Sequence, residues 1–337
     1  MIRKTLLASA ALLATLASFG LSASVDAKPV FTTFDAPNSV GTFPVSIQAG
    51  VIAGDFLDGK QAIHGFVRAV DGTITPFDPA GSQATQVIAM SRSGAVAGYF
   101  VDSGAGTHAF VRATDGTIST ITPPGSNASL AYGINKKGEV AGYYRVGITT
   151  WHGFVRAPKG KITTFDVPDS TFIHVYSMND HGAITGYYYD AGSVAHGFIR
   201  SADGTITTFD PPGSARTEAY TINNAGTVAG IYIDSGNVVH GFVRAADGTI
   251  TTFDAPESTG TFVMGMNKEG KIVGYFRDGN NKAHAFVRAS NGKLKTFDYR
   301  GAAGTFAETI ESGQAGPIVG FYDDSNNVAH GYLRVAQ

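Results

Sequence analysis

With 337 residues, 43 glycines, no cysteine and a formal charge of −2, the chain is long enough for a large core and rich in turn residues. The absence of cysteine excludes disulfides, thiolate nucleophiles, cysteine-ligated zinc and haem attached through Cys-x-x-Cys-His. A charge this close to neutral is unlike a phosphate-neutralising surface, so nucleic acid is not expected as a partner.

Arg3 and Lys4 precede an apolar run from Thr5 to Leu21, and Val25-Asp26-Ala27 follows with the small or apolar residues of a cleavage site. This is the layout of a secretory signal peptide over residues 1–27. The apolar run is short for a spanning helix. No later segment is apolar for long enough to cross a bilayer. The mature chain, residues 28–337, is therefore expected as a single domain in the periplasm or outside the cell, without membrane insertion.

From there on, the sequence repeats. His-Gly/Ala-Phe/Tyr recurs at His64, His108, His152, His196, His240, His284 and His330, mostly 44 residues apart. Ten residues before each stands a glycine: Gly54, Gly98, Gly142, Gly186, Gly230, Gly274 and Gly320. The fifth copy shows the grammar: Ala219–Asn223, Thr227–Tyr232, His240–Ala245 and Thr249–Asp254. Each piece is short and rich in β-branched or aromatic residues. The separators, Asn-Ala-Gly, Asp-Ser-Gly-Asn and Asp-Gly, are turn chemistry. Each copy therefore reads as four antiparallel strands.

A four-stranded unit repeated in this way predicts an all-β fold, a seven-bladed β-propeller. A linear solenoid would need distinct terminal caps, and none is visible. The last copy ends at Gln337 without its Thr-Thr-Phe-Asp strand, and that strand stands alone as Phe31–Asp35. The N-terminal strand is accordingly expected to close the last blade. Small residues at one repeat position (Ser46, Ala89, Gly133, Ser177, Thr221, Gly265, Thr309) place the first strand innermost, where crowding is greatest. The rival register starts each blade with Thr-Thr-Phe-Asp and shares no blade.

His-Ala/Gly-Phe followed by an Asp-Gly turn and preceded by Ile-Asn-x-x-Gly-x-Val-x-Gly resembles the bacterial extracellular HAF repeats, over residues 31–337. Two copies carry His-Ala-Phe, at His108 and His284; the others carry His-Gly-Phe or His-Gly-Tyr. The resemblance implies export and a repeated β architecture. It supplies no catalytic residues.

Regularly spaced histidines invite a metal-ring reading, but a residue present in every copy is expected to do one structural job in every copy. Asp58, Asp102, Asp190, Asp234, Asp278 and Asp324, six residues before their histidines, are candidates to bond the ring or cap the turn. The once-per-copy arginines, such as Arg244, are read as braces between copies or of turns. Calcium would need several oxygens converging from neighbouring loops, so no metal or cofactor is assigned. If the Asp-Gly hairpins are two-residue turns, Phe242 lies directly across from Phe253.

Function is sought where the repeat breaks. Trp151, the sole tryptophan, and His174 and Glu218 in the loops between copies are the candidate ligand-binding residues, expected to rim one face on three adjoining blades. A tryptophan at a wet rim stacks well on sugars. His181, in a tight Asn-Asp-His-Gly turn, is expected on the opposite face in solvent. No nucleophile elbow, zinc helix, phosphate loop or dinucleotide fingerprint occurs. The sequence thus points to a non-catalytic binding or interaction module for a glycan or a protein. The alternatives are a propeller hydrolase or lyase acting at the axial mouth, and a structural envelope or matrix component.

Overall fold

The computed structural model describes residues 29–313 and 316–336, so the segment expected as a signal peptide lies outside the described residues. The described residues contain 28 strands and no helix. The fifth copy forms β18 (Ser214–Ile222), β19 (Val228–Asp234), β20 (Val239–Arg244) and β21 (Ile250–Phe253), hydrogen-bonded in that order as one antiparallel sheet. The other copies repeat the pattern. Two of the sheets are joined into eight strands by a single parallel bridge between Thr107 and Ala128.

β1 (Val30–Phe34) pairs with β28 (Ala329–Val335), Val30 facing Val335 and Phe34 facing Gly331. It completes a sheet with β27 (Ile318–Asp323) and β26 (Gly304–Ile310). The Thr-Thr-Phe strand is therefore an outer strand, and the rival register fails.

The first strands of the copies are β2 (Ser39–Gln48), β6 (Ser82–Met90), β10 (Ala128–Ile134), β14 (Phe172–Met178), β18, β22 (Gly260–Met266) and β26. Each touches the next in that order, and β26 touches β2. The row of small residues lies on these strands and faces a shared cavity.

Neighbouring sheets cover one another with the His-x-Phe phenylalanine. Phe66, Phe110, Phe154, Phe198, Phe242 and Phe286 are fully buried, each worth about 2–3 kcal/mol of apolar transfer. The phenylalanine of the preceding outer strand meets it edge-on, as Phe209 meets Phe242 at 5.8 Å. The repeated arginine then lies over that same outer ring. Arg244 sits 5.1 Å above Phe209, and Arg288 sits 4.7 Å above Phe253. The arginines brace one copy against the previous one, as cation–π contacts allow.

One register expectation is wrong. Phe253 faces Gly241, while Phe242 faces Thr252. The hairpin closes with Ala245 N–H donating to Thr249 O around a three-residue loop, and Gly248 takes φ +94°. The extra residue shifts the pairing by one. The shift has a use, because a Cβ on Gly241 would sit 2.6 Å from the Phe253 ring. The glycine of His-Gly-Phe is the slot into which the outer phenylalanine folds.

Candidate ligand-binding site on the inner strands

The repeated glycine ten residues before each histidine is tied to a bulge. In β14, Val175 pairs with Gly186 and Ser177 with Thr185, leaving Tyr176 as the extra residue. Any Cβ on Gly186 would collide with the carbonyl oxygen of His174. The bulge pushes that carbonyl across the ladder, so only glycine fits opposite it. The same break occurs in every first strand, and the bulged residues are Val45, Ile88, Tyr132, Tyr176, Tyr220, Met264 and Glu308.

All of these residues line one cavity of about 610 Å³. A bulge re-aims its side chain, and here it aims one side chain per copy at a common centre. Three adjacent copies contribute tyrosines; the position in β26 contributes a carboxylate.

The three residues nominated from sequence lie along one aromatic chain behind this ring. The Trp151 ring stands 5.4 Å from Tyr143 and 5.5 Å from Phe172. Tyr143 stands 4.4 Å from His174, and its hydroxyl is 2.9 Å from His174 Nε2. His174 stacks on Tyr176 at 4.3 Å and on Tyr187 at 5.1 Å. Tyr176 meets Tyr220 at 4.6 Å, and the Tyr220 hydroxyl donates to Glu218 at 2.6 Å. Arg216 pairs with the same carboxylate at 2.8 Å.

The nominated residues are thus brought together, but His174 does not sit at a wet rim. It is buried between two sheets, and desolvation pushes its pKa down to about 3. It is held as a neutral ring, with the backbone of Val175 as a minor opposing influence. Glu218 is largely covered, and Arg145 lies 5.5 Å over the Trp151 ring. His174 and Glu218 support the cavity wall from behind, whereas Tyr176 and Tyr220 form its surface. The sequence reading stopped two residues short of the wall. The available signal was tyrosine in three successive copies at a position otherwise holding Val45, Ile88, Met264 or Glu308.

Two carboxyls were also missed. Glu308 faces the cavity, hemmed in by protein while keeping part of its surface open to that space. Burial first, and then the charge of Asp55, push its pKa up to about 7. Asp55, on the strand behind Val45, is pushed up to about 7 by burial, partly offset by a hydrogen bond from Val87 N–H.

The repeated histidines serve the scaffold. His64 Nδ1 lies 2.7 Å from Asp78 of the outer strand, with Asp58 at 3.6 Å from Nε2. Asp58 meanwhile accepts backbone N–H bonds from Lys60 and Ala62, so it both caps its turn and faces the ring. The outer-strand aspartate, the shorter contact, was not anticipated. Where an aspartate is missing from the pattern, one contact remains: His108 keeps Asp102, and His152 keeps Asp166. Among the described residues no group of three or more His, Asp or Glu is placed to hold a metal ion. His181 is exposed in the Asn179 turn, and it is Asn179 and Asp180 of that turn that line the cavity.

No family model matches the sequence, and no curated protein matches it. Solved structures do. The β-propeller domain of the Trilobed protease from Pyrococcus furiosus is 9% identical with a TM-score of 0.59, covering 87% of this chain and 95% of that one. The fold is a β-propeller. A Mycobacterium tuberculosis puromycin-hydrolyzing peptidase is similar too, at 11% identity and a TM-score of 0.61, over 88% of this chain and 52% of that one. TolB from Acinetobacter baumannii follows at 12% and 0.52, over 75% and 64%. The propeller spans about half the length of the puromycin hydrolases it matches. At these identities the likeness concerns the scaffold and not its chemistry.

Proposed function

We propose that this chain is an exported, non-catalytic propeller of seven blades that binds a glycan in the cavity at its axis. The blade count rests on the 44-residue period and on first strands that touch in succession from β2 round to β26 and back. Export rests on the N-terminal layout and on the resemblance to HAF repeats. The observation that carries the binding reading is the set of bulged residues. Tyr132, Tyr176 and Tyr220 are turned into one small-molecule-sized cavity and backed by His174, Glu218 and Trp151. Flat aromatic faces with hydroxyl edges suit sugar rings, which are apolar on their faces and polar at their rims.

A glycan array probed with the purified protein tests the reading. Saturable binding that Tyr176→Ala weakens by tenfold or more, with the melting temperature retained, supports it. Absence of any glycan signal removes it. A second reading, a propeller hydrolase or lyase, draws on the Glu308 carboxyl in the cavity wall and on Asp55, whose charge it feels. Product analysis of each bound glycan separates the two, because turnover abolished by Glu308→Gln would replace the binding reading with catalysis.

A further inference from the structure

The wall of the cavity is chemically lopsided. Tyr132, Tyr176 and Tyr220 occupy one sector, and Glu308 occupies another, flanked by the bulged Val45 and Met264 of the adjoining first strands. Among the described residues the Glu308 carboxyl makes no hydrogen bond or ion pair, although protein surrounds it on every side but the cavity. A half-buried carboxyl without a protein donor is stabilised by any donor that a ligand brings into the cavity. The cations on the strands packed against β26 are engaged elsewhere: Arg277 with Asn281, Arg288 over Phe253, Arg334 over Phe297. His284 is held by Asp298. The titratable groups whose charge is coupled to Glu308 are Asp55, Tyr275 and Tyr332, none of them cationic, and the two cations that line the cavity are occupied at its turns, Lys268 beside Glu269 at 3.7 Å and Arg92 acting on Asp180.

Resting on the glycan reading above, we propose that the ligand is a glycan carrying a free protonated amine, with its ammonium on Glu308 and its sugar faces on the tyrosines. An ammonium supplies the donors the carboxyl lacks and compensates the negative charge that Asp55 adds behind it. N-acetylation would remove the charge and leave Glu308 with one weak donor.

Titration calorimetry at neutral pH with glucosamine, N-acetylglucosamine and glucose tetramers is the test. The unmodified protein should bind the glucosamine tetramer at least tenfold tighter than the other two. Glu308→Gln, an isosteric change, should bring the glucosamine tetramer down to the level of the neutral ones. In Asp55→Asn, which keeps Glu308, the preference should persist; its loss there would move the contact to Asp55 and overturn the assignment. Equal affinity for all three tetramers, or a preference that survives Glu308→Gln, overturns the amine inference and leaves the glycan reading standing. If no tetramer binds and no glycan registers on the array, both fall together.

Discussion

His330 Nδ1 lies 3.0 Å from the carboxylate of Asp35, although 295 residues separate them in sequence. It is the contact that His64 makes with Asp78 across a single hairpin, reproduced here between the two ends of the chain. Behind it, Phe31 packs on Tyr332 at 5.4 Å, Tyr299 at 5.6 Å and Phe297 at 6.2 Å. Deleting residues 30–35 would leave β28 as a bare edge and uncover the fully buried Tyr332. The expected outcome is one cooperative unfolding transition at markedly lower denaturant. Phe31→Ala alone should cost about 2–3 kcal/mol. Chemical denaturation followed by tyrosine fluorescence checks both, and an unchanged midpoint after deletion would show that the N-terminal strand does not fasten the fold.

The bulge and its glycine give a second expectation. Gly186→Ala puts a methyl into the carbonyl oxygen of His174, so either the bulge or the ladder must yield. Overpacking of this kind costs about 1–3 kcal/mol or more. It should also weaken ligand binding, since Tyr176 is aimed by that bulge. Gly279→Ala, where a Cβ would meet nothing within 4 Å, is the matched control and should be near neutral. Thermal melts of the two variants side by side decide the matter.

The contrast between these glycines and the cavity residues shows what the sequence made legible. The period, the strand grammar and the spare N-terminal strand follow from spacing, and the innermost strand from a row of small residues, because each copy must solve the same packing problem. The function of Gly186 does not, because the reason for it is a carbonyl on the next strand, displaced by a residue that pairs with nothing. Hairpin register failed for a similar cause, since Asp247-Gly248 suits both two- and three-residue loops and only the slot at Gly241 selects between them. His174 was found by its departure from the repeat, yet that departure marks a blade-to-blade packing site as well as a ligand site. Asp55 and Glu308 lie far apart in sequence, and the charge of the one reaches the other only when the first copy meets the last. No linear pattern signals that pair.

The histidines should divide cleanly by proton NMR. His64, His196 and His240 lose some basicity to burial, but their flanking aspartates outweigh it and hold each pKa above the ordinary value. Each therefore contributes stability that is complete below about pH 6.5 and fades as pH rises through its own higher pKa. His174 behaves oppositely. Its ring stays neutral down to about pH 3, so it costs stability as the pH falls from the unfolded value towards that point. Titration of ring C–H shifts should show His64, His196 and His240 turning above pH 6.5 and His174 remaining flat above pH 4. A His174 that titrates normally would contradict its burial between Tyr143 and Tyr187.

Glu308 makes the last expectation, because a site held ready for a cation is unstable without one. Its carboxyl is protonated in the folded chain up to about pH 7, whereas the unfolded chain releases that proton near 4.5. Between these values the folded state binds more protons, so stability falls as pH rises, and the loss is complete above about pH 7. Glu308→Gln removes a charge that has no partner and should raise stability at pH 8 by at most about 3 kcal/mol, given about 1.4 kcal/mol per pH unit over the interval from 4.5 to about 7. The difference should shrink to almost nothing by pH 4, where the native carboxyl is neutral in both states. Melting temperatures of the two proteins across pH 4–8 measure it directly. Parallel curves would mean that Glu308 already has a compensating partner and that the cavity is not waiting for an ammonium.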